Sequence, residues 1–269
     1  METVTLANGV EMPLLGFGTW ALRGGDCTRA VEEALDAGYR LIDTAQMYGN
    51  ETEVGRALVA SNVPREEIFL TTKIYRPSNS YAKATRAIDA SLAALGTDYV
   101  DLLLLHEPYP QASEMYRAIE NAYRAGKARA IGISNYDENR YVRFLAHCEI
   151  SPMVNQVEAH VFFQRGNLHK RLQNDGVILQ AWAPLASGEG RVPQNPVLAA
   201  IGARHGKTAA QVALRFLVQR GLSVIPKTSH RARMIENAAI FDFSLSDEEM
   251  AQIRSLDTDK TFFSWTEAY

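Results

Sequence analysis

The stretch AKATRAIDASLAALGTDYVDLLLLH, residues 82–106, decides the fold of this chain. Its first half carries Ile88, Leu92 and Leu95 at spacings of three and four residues, which places them on one face of a helix. Gly96 follows, and glycine commonly ends a helix. The closing run VDLLLLH is almost continuously apolar, which is typical of a parallel strand covered on both faces. A helix followed directly by such a strand predicts an α/β fold.

The same alternation continues on both sides of this stretch, and most of the strand-like segments are apolar throughout. Eight cycles of strand and helix, at roughly 30 residues each, are the repeat of a closed parallel barrel. We therefore predict a (β/α)8 barrel, also called a TIM barrel. The predicted strands are residues 15–18, 41–44, 69–73, 100–106, 130–134, 154–158, 177–182 and 223–226.

Additional elements are predicted at both ends of the chain. Asn8-Gly9 lies between two short alternating segments and predicts a β-hairpin whose two turn residues both have positive φ. Ser246 and Glu249 form a capping box that predicts an extra helix after the barrel. No linker interrupts the sequence, so we expect a single domain over residues 1–269. The clearest helices, each followed by glycine, are predicted at residues 28–37, 82–95, 113–125 and 209–220.

Composition excludes several functional classes. The formal net charge is 28 − 31 = −3 with dispersed charges, which argues against a nucleic-acid partner. No apolar run approaches the roughly 18 residues of a membrane span, and the first residues lack the layout of a signal peptide. Cys27 and Cys148 are far apart and predict reduced thiols, and no set of side chains has the spacing of a metal site. We expect a monomeric cytoplasmic protein without a metal.

Polar residues follow the predicted strands where a barrel has its catalytic rim. Asp43 ends the second strand, Tyr48 lies in the next loop, and Lys73 and His106 end the third and fourth strands. Each has an ordinary alternative, namely a helix cap, a rim aromatic, a solvated charge and a core histidine. Because all four occur at consecutive strand ends, we predict that they form one active site.

Several motifs in order along nearly the whole chain resemble the aldo-keto reductase superfamily. The resemblance implies NADPH-dependent reduction of carbonyl compounds, with Tyr48 as proton donor and Asp43, Lys73 and His106 completing a tetrad. The matching segments are GFGTW (residues 16–20), GYRLIDTA (38–45), YGNE (48–51), TTK (71–73), DYVD (98–101) through His106, IGISN (131–135), NQ (155–156), APL (183–185) and IPK (225–227).

Elementary electrostatics agrees with this assignment. A lysine ammonium about 4 Å from a phenol contributes on the order of 4 kcal/mol at an effective dielectric of ~20, equivalent to roughly three pKa units. We therefore expect Lys73 to lower the pKa of Tyr48 to near 7. Asp43 would hold Lys73 charged, and His106 would donate a hydrogen bond to the carbonyl oxygen.

The resemblance also implies a set of cofactor-binding residues. Ser134, Asn135 and Gln156 would bind the nicotinamide carboxamide, although Ser134 and Asn135 are equally compatible with a turn or helix cap. Trp182 would stack on the nicotinamide ring. The remaining expected contacts are Leu185 near the cofactor, Lys227, Thr228, Ser229 and Arg233 around the 2′-phosphate of NADPH, and Glu236 and Asn237 near the adenine, with His230 standing where some relatives have arginine.

Substrate contacts are expected from Trp20, Tyr75 and Glu107. Many relatives have tryptophan where this chain has Glu107. A carboxylate at the pocket mouth would disfavour anionic keto-acids, which predicts a preference for neutral aldehydes or diketones, whereas a solvated rim charge would have no such effect. The aromatic C-terminal tail, residues 262–269, is expected to fold over the pocket.

The sequence also allows other interpretations of the fold and of Lys73. The sequence GFGTWA, residues 16–21, matches a loose dinucleotide fingerprint, but we reject it because the next helix is predicted only near Thr28. Lys73 would form a Schiff base if the barrel were an aldolase. The same fold could also serve as a cofactor-binding sensor or interaction protein with little turnover.

Overall fold

The computed structural model describes residues 2–267 of the chain. It begins with the predicted hairpin, in which β1 (Thr3–Thr5) pairs antiparallel with β2 (Glu11–Pro13). The predicted turn is wrong in one respect, because Gly9 has a φ of +85° while Asn8 does not have a positive φ. The hydrogen bonds that close the loop enclose more than two residues, so Asn8 does not need a left-handed backbone.

Eight parallel strands follow and confirm the predicted barrel architecture. Each pairs with its neighbours in chain order from β3 to β10. Residues in the long central strands are almost all buried, as expected for strands covered on both faces. The strands are β3 (Phe17–Gly18), β4 (Leu41–Asp43), β5 (Phe69–Ile74), β6 (Val100–Leu105), β7 (Ala128–Ser134), β8 (Val154–Glu158), β9 (Ile178–Trp182) and β10 (Ser223–Val224).

The first and last strands meet and close the barrel. Gly16 N donates to Val224 O at 2.8 Å, and Val224 N donates to Leu14 O at 2.8 Å. Both terminal strands are shorter than predicted, although Gly18 N still donates to Pro226 O at 3.1 Å beyond the end of β10. The closed barrel brings the ends of the strands together around one mouth.

Helices surround the barrel, and several differ from the prediction. The first helix begins at Gly24 rather than Thr28, but residues 19–23 still separate it from β3, so the rejected dinucleotide fingerprint does not open a helix. Ser246 and Glu249 form the predicted capping box. In order, the helices are α1 (Gly24–Asp36), α2 (Glu51–Ala60), α3 (Tyr81–Leu95), α4 (Ala112–Arg124), α5 (Glu138–Leu145), α6 (Gly166–Asn174), α7 (Pro196–His205), α8 (Ala209–Gln219), α9 (Arg231–Ala238) and α10 (Asp247–Arg254).

Helix α7 is an insertion that precedes α8 in the connection between β9 and β10. Asn195 caps it by accepting hydrogen bonds from Val197 N and Leu198 N, and Pro196 occupies its first position. Over residues 2–267, no helix is both long and apolar enough to cross a membrane.

Candidate active site

Lys73 is the centre of a buried polar cluster at the barrel mouth. Its Nζ donates to Asp43 Oδ1 at 2.6 Å, to Thr44 O at 3.0 Å and to the phenolic oxygen of Tyr48 at 3.2 Å. Asp43 ends β4, Lys73 lies near the end of the adjacent strand β5, and Tyr48 ends a short 3-10 helix after β4. The parallel pairing of β4 with β5 therefore brings the three side chains together.

The electrostatic environment of Tyr48 contradicts the predicted pKa near 7. Burial raises the pKa of this phenol above its ordinary value of 10.0, because the phenolate would lose its hydration. Lys73 acts to lower the pKa, whereas Asp43 and Glu107 act to raise it further. The prediction counted the field of the ammonium and omitted desolvation, so it had the wrong sign.

Lys73 and Asp43 form a buried ion pair. Burial acts to lower the pKa of Lys73, but Asp43 and Tyr48 outweigh it, and the pKa of Lys73 is raised. Burial raises the pKa of Asp43, against the attraction of Lys73 and the hydrogen bonds from Lys73 and Gln156. Lys73 is therefore an ammonium without the lone pair that a Schiff-base nucleophile requires, which argues against an aldolase mechanism.

His106 follows β6 and lies beside Tyr48, with ring centroids 5.7 Å apart. Burial lowers the pKa of His106 well below 6.5, and the charge of Lys73 lowers it further, so the imidazole is neutral. Its Nδ1 is buried and has no hydrogen-bond partner among residues 2–267. A proton on Nδ1 would be an unsatisfied buried donor, so we assign the proton to Nε2.

Gln156 connects the tetrad to the neighbouring strands. Its Nε2 donates to Asp43 Oδ2 and to Gln180 Oε1, both at 2.7 Å. Gln180 in turn donates to Ser223 Oγ at 3.1 Å. Gln180 was missed from the sequence, although a glutamine within an apolar strand is the signal that would have identified it. Both amide hydrogens of Gln156 are used in these two bonds.

Ser134 and Asn135 end β7 close to this network. Ser134 Oγ donates to Gln156 O at 2.8 Å, and Asn135 Nδ2 donates to His106 O at 3.2 Å. Asn135 Oδ1 accepts from Trp182 Nε1 at 2.8 Å. Neither residue caps a helix, because Asp137 caps α5. The helix-cap alternative for Ser134 and Asn135 is therefore wrong, although the left-handed backbone of Asn135 does make a turn.

The C-terminal tail lies over the mouth beside β8 and β9. Glu158 accepts hydrogen bonds from Thr261 Oγ1 and, at 3.0 Å, from Phe262 N. The rings of Phe263 and Trp265 contact Trp182, and Trp265 stacks on it with centroids 5.5 Å apart. This agrees with the predicted position of the tail, except that residues 268 and 269 lie outside the described part.

The residues expected around the 2′-phosphate surround the start of α9. Lys227, Ser229 and Arg233 are exposed, and within residues 2–267 neither Lys227 nor Arg233 has an ion-pair partner. The other predicted cofactor residues are more enclosed: Thr228 and Asn237 are buried, Leu185 packs against the core, and Glu236 accepts a hydrogen bond from Thr208 Oγ1 at 2.7 Å.

The predicted substrate residues differ in their environments. Trp20 is 49% exposed and its ring lies 5.0 Å from that of Tyr48, so it forms a wall beside the phenol. Tyr75 follows β5 and is half-buried. Glu107 is buried and its charge acts on Tyr48. The interpretation of Glu107 as a solvated rim charge is therefore wrong.

Comparisons with known proteins identify the family. Residues 14–258 match the Aldo/keto reductase family. The chain belongs to this family. It is 42% identical over 260 residues to the 9,11-endoperoxide prostaglandin H2 reductase of Trypanosoma cruzi, covering 96% of this chain and 92% of that protein. It is also 42% identical over 261 residues to the glyoxal reductase of Bacillus subtilis, covering 96% and 94%.

A solved structure supports the same conclusion. MGS-M4, an aldo-keto reductase from a Medee basin deep-sea metagenome library, superimposes with a TM-score of 0.95 at 44% identity, and 97% of each chain is covered. This aldo/keto reductase is therefore an oxidoreductase of the class that acts on aldehydes and ketones. Its described residues contain no group of side chains suited to hold a metal ion.

Proposed function

We propose that this protein is an NADPH-dependent reductase of small neutral aldehydes or diketones that uses Tyr48 as the proton donor. The observation that carries the proposal is the contact of Lys73 Nζ with the Tyr48 hydroxyl at 3.2 Å, beside the imidazole of His106. Reduction of a carbonyl requires a hydride on carbon and a proton on oxygen. In this proposal Tyr48 supplies that proton.

The raised pKa of Tyr48 suits this role. At neutral pH the phenol keeps its proton and is ready to donate it. The alkoxide formed during carbonyl reduction is a much stronger base than a phenolate, so proton transfer from Tyr48 to it is downhill. Lys73 then stabilises the phenolate, with a gross attraction of about 5 kcal/mol at 3.2 Å and an effective dielectric of ~20.

The neutral imidazole of His106 has a separate task. With its proton on Nε2, it donates a hydrogen bond to the carbonyl oxygen. This hydrogen bond becomes stronger as negative charge develops on that oxygen. Because His106 is neutral, it does not compete with Tyr48 as the strongest acid in the site.

The side chains around the mouth fit a dinucleotide. NADPH supplies the hydride when bound. Asn135 Nδ2 has a second hydrogen besides the one donated to His106 O, and Ser134 Oγ can accept as well as donate, so both would bind a carboxamide together with Gln156 Oε1. Trp265 stacks on one face of Trp182, so a nicotinamide ring would use the other face. Lys227 and Arg233 are cations beside the N-terminus of α9, where a phosphate is favourable. Leu185, Thr228, Ser229, Glu236 and Asn237 complete the proposed cofactor site.

Glu107 is the basis for the proposed preference for uncharged substrates. Glu107 is buried and its charge acts on Tyr48, so it would also act on an anionic substrate held beside that phenol. Similarity to a glyoxal reductase supports small dicarbonyl substrates. We expect a glyoxal to have a much higher kcat/KM than a matched keto-acid, and Glu107→Gln to narrow that difference. Equal values for both substrates, unchanged in the variant, would refute the preference.

Oxidation of NADPH measured across glyoxals, sugars, aromatic aldehydes and keto-acids tests the function directly. Tyr48→Phe should abolish reduction and leave the affinity for NADPH nearly unchanged. A wild-type protein that binds NADPH without turning over any carbonyl would instead support the alternative of a sensor or interaction protein. The cytoplasmic location and the monomeric state stay predictions, and light scattering checks the latter.

A further inference from the structure

Asn50 occupies the residue before α2, where asparagine usually caps a helix. Here its side chain does not cap α2. It is completely buried and directed inwards. The helix gives up a stabilising contact at this position, so the other contacts of Asn50 require an explanation.

The Asn50 amide forms hydrogen bonds through both its oxygen and its nitrogen, and it also contacts the thiol of Cys27. Oδ1 accepts from Thr44 Oγ1 at 2.7 Å. Nδ2 donates to Thr19 O at 3.0 Å and to Leu22 O at 3.2 Å. One side chain thus connects the residue after β4 with both sides of the loop that carries Trp20.

The loop around Trp20 is a tight turn in which Leu22 N donates to Thr19 O at 3.1 Å, and Leu22 is buried. Ala21 has a φ of +62°, which is unfavourable for alanine and persists only where neighbouring contacts hold it. Thr19 is fixed to Asp43 O through both N and Oγ1, at 3.0 and 2.9 Å. Asn50 reinforces this turn, because its Nδ2 bonds to Thr19 O and Leu22 O hold both ends of the loop that carries Trp20.

Asn50 is also connected to the catalytic cluster. It follows Tyr48 by two positions, and its partner Thr44 accepts a hydrogen bond from Lys73 Nζ through its carbonyl. The rings of Tyr48 and Trp20 have centroids 5.0 Å apart. The Asn50 amide is therefore connected to the segments that carry both rings.

We propose that Asn50 is a positioning residue that holds the Trp20 loop against Tyr48 and so sets the width of the substrate pocket. This inference rests on the proposed function. Asn50 is completely buried, so its effect on the substrate is exerted through Trp20. Loss of its two donor bonds releases the loop, which weakens the binding of substrates large enough to contact Trp20.

Asn50→Asp is the sharpest variant, because it keeps the shape and the acceptor for Thr44 while replacing the donor to Thr19 O and Leu22 O by an oxygen. For an aromatic aldehyde we expect KM to rise roughly tenfold or more, since small misplacements of a binding surface have effects of this size. The value of kcat should change much less. Asn50→Ser serves as a second variant if Asn50→Asp does not fold.

A double-mutant cycle with Trp20→Ala separates positioning from general destabilisation. If Asn50 acts through Trp20, Asn50→Asp should have almost no further effect on kcat/KM in the Trp20→Ala background. Additive effects would overturn the inference. If the wild-type enzyme reduces no carbonyl with NADPH, the proposed function fails first, and a proteolysis measurement still tests Asn50.

Limited trypsin digestion provides that measurement without any turnover. Arg23 is exposed at the end of the loop, so release of the loop should accelerate cleavage after Arg23 in Asn50→Asp. The matched control is Gln164→Ala, which removes a buried amide that donates to Val161 O and Ile253 O at 2.8 and 2.9 Å. Equal acceleration in both variants would show a global effect and overturn the inference.

Discussion

Replacement of Lys73 by methionine should impair catalysis more than binding. The substitution removes the cation that lies 3.2 Å from the Tyr48 hydroxyl and keeps a side chain of similar length. At an effective dielectric of ~20, that cation attracts a phenolate by about 5 kcal/mol. The substitution therefore removes the stabilisation of the Tyr48 phenolate, whose charge forms only as the proton leaves.

The net loss of phenolate stabilisation in Lys73→Met is smaller than this gross attraction, because Asp43 is affected as well. In wild type, the carboxylate of Asp43 contacts Lys73 at 2.6 Å and opposes phenolate formation. Without Lys73, Asp43 is a buried unpaired carboxylate and takes up a proton, so its repulsion of the phenolate also disappears. We expect kcat/KM to fall roughly a hundredfold to a thousandfold.

The assay is steady-state reduction of a glyoxal with NADPH, together with NADPH affinity from fluorescence quenching and a thermal melt. Lys127→Met is the control, because Lys127 pairs with Asp89 far from the tetrad. Lys73→Met with Asp43→Asn should lose little more activity than the single variant, because the tetrad acts as one unit. A folded Lys73→Met enzyme that retains kcat/KM within tenfold would refute the reasoning.

Three further outcomes are expected. Because burial raises the pKa of Tyr48 and the acid form is the reactive one, reduction should persist to about pH 9 while alcohol oxidation rises with pH; a reductive inflection near 7 would contradict this. Arg233→Ala should raise KM for NADPH more than for NADH, and equal changes would exclude a phosphate contact. Gly55→Ala should lower the melting temperature, since a Cβ would lie 2.7 Å from Ala94 O, whereas Val59→Ala at a 78% exposed position should not.

Apolar periodicity was enough to predict the order of the strands, because each parallel strand must bury both faces. It predicted the ends less well: β10 is only Ser223–Val224, and α1 begins at Gly24. Strand ends also placed Lys73 and His106 correctly at the mouth. Burial was not visible in the sequence. For that reason the pKa of Tyr48 was predicted wrongly, and the sequence left Glu107 open between a carboxylate at the pocket mouth and a solvated rim charge, of which the structure excludes the second.

The groups around Tyr48 have opposing effects on the pKa of its phenol. One cation, Lys73, lowers the pKa of the phenol, while burial and the charges of Asp43 and Glu107 raise it. A phenol near pKa 7 would be half ionised in the resting enzyme and would serve acid and base chemistry equally. A phenol with a raised pKa is fully protonated before the substrate arrives, and the cation becomes important only when the proton has moved. The arrangement therefore favours donation of a proton over its removal, and the charge of Glu107 contributes to that bias in this chain.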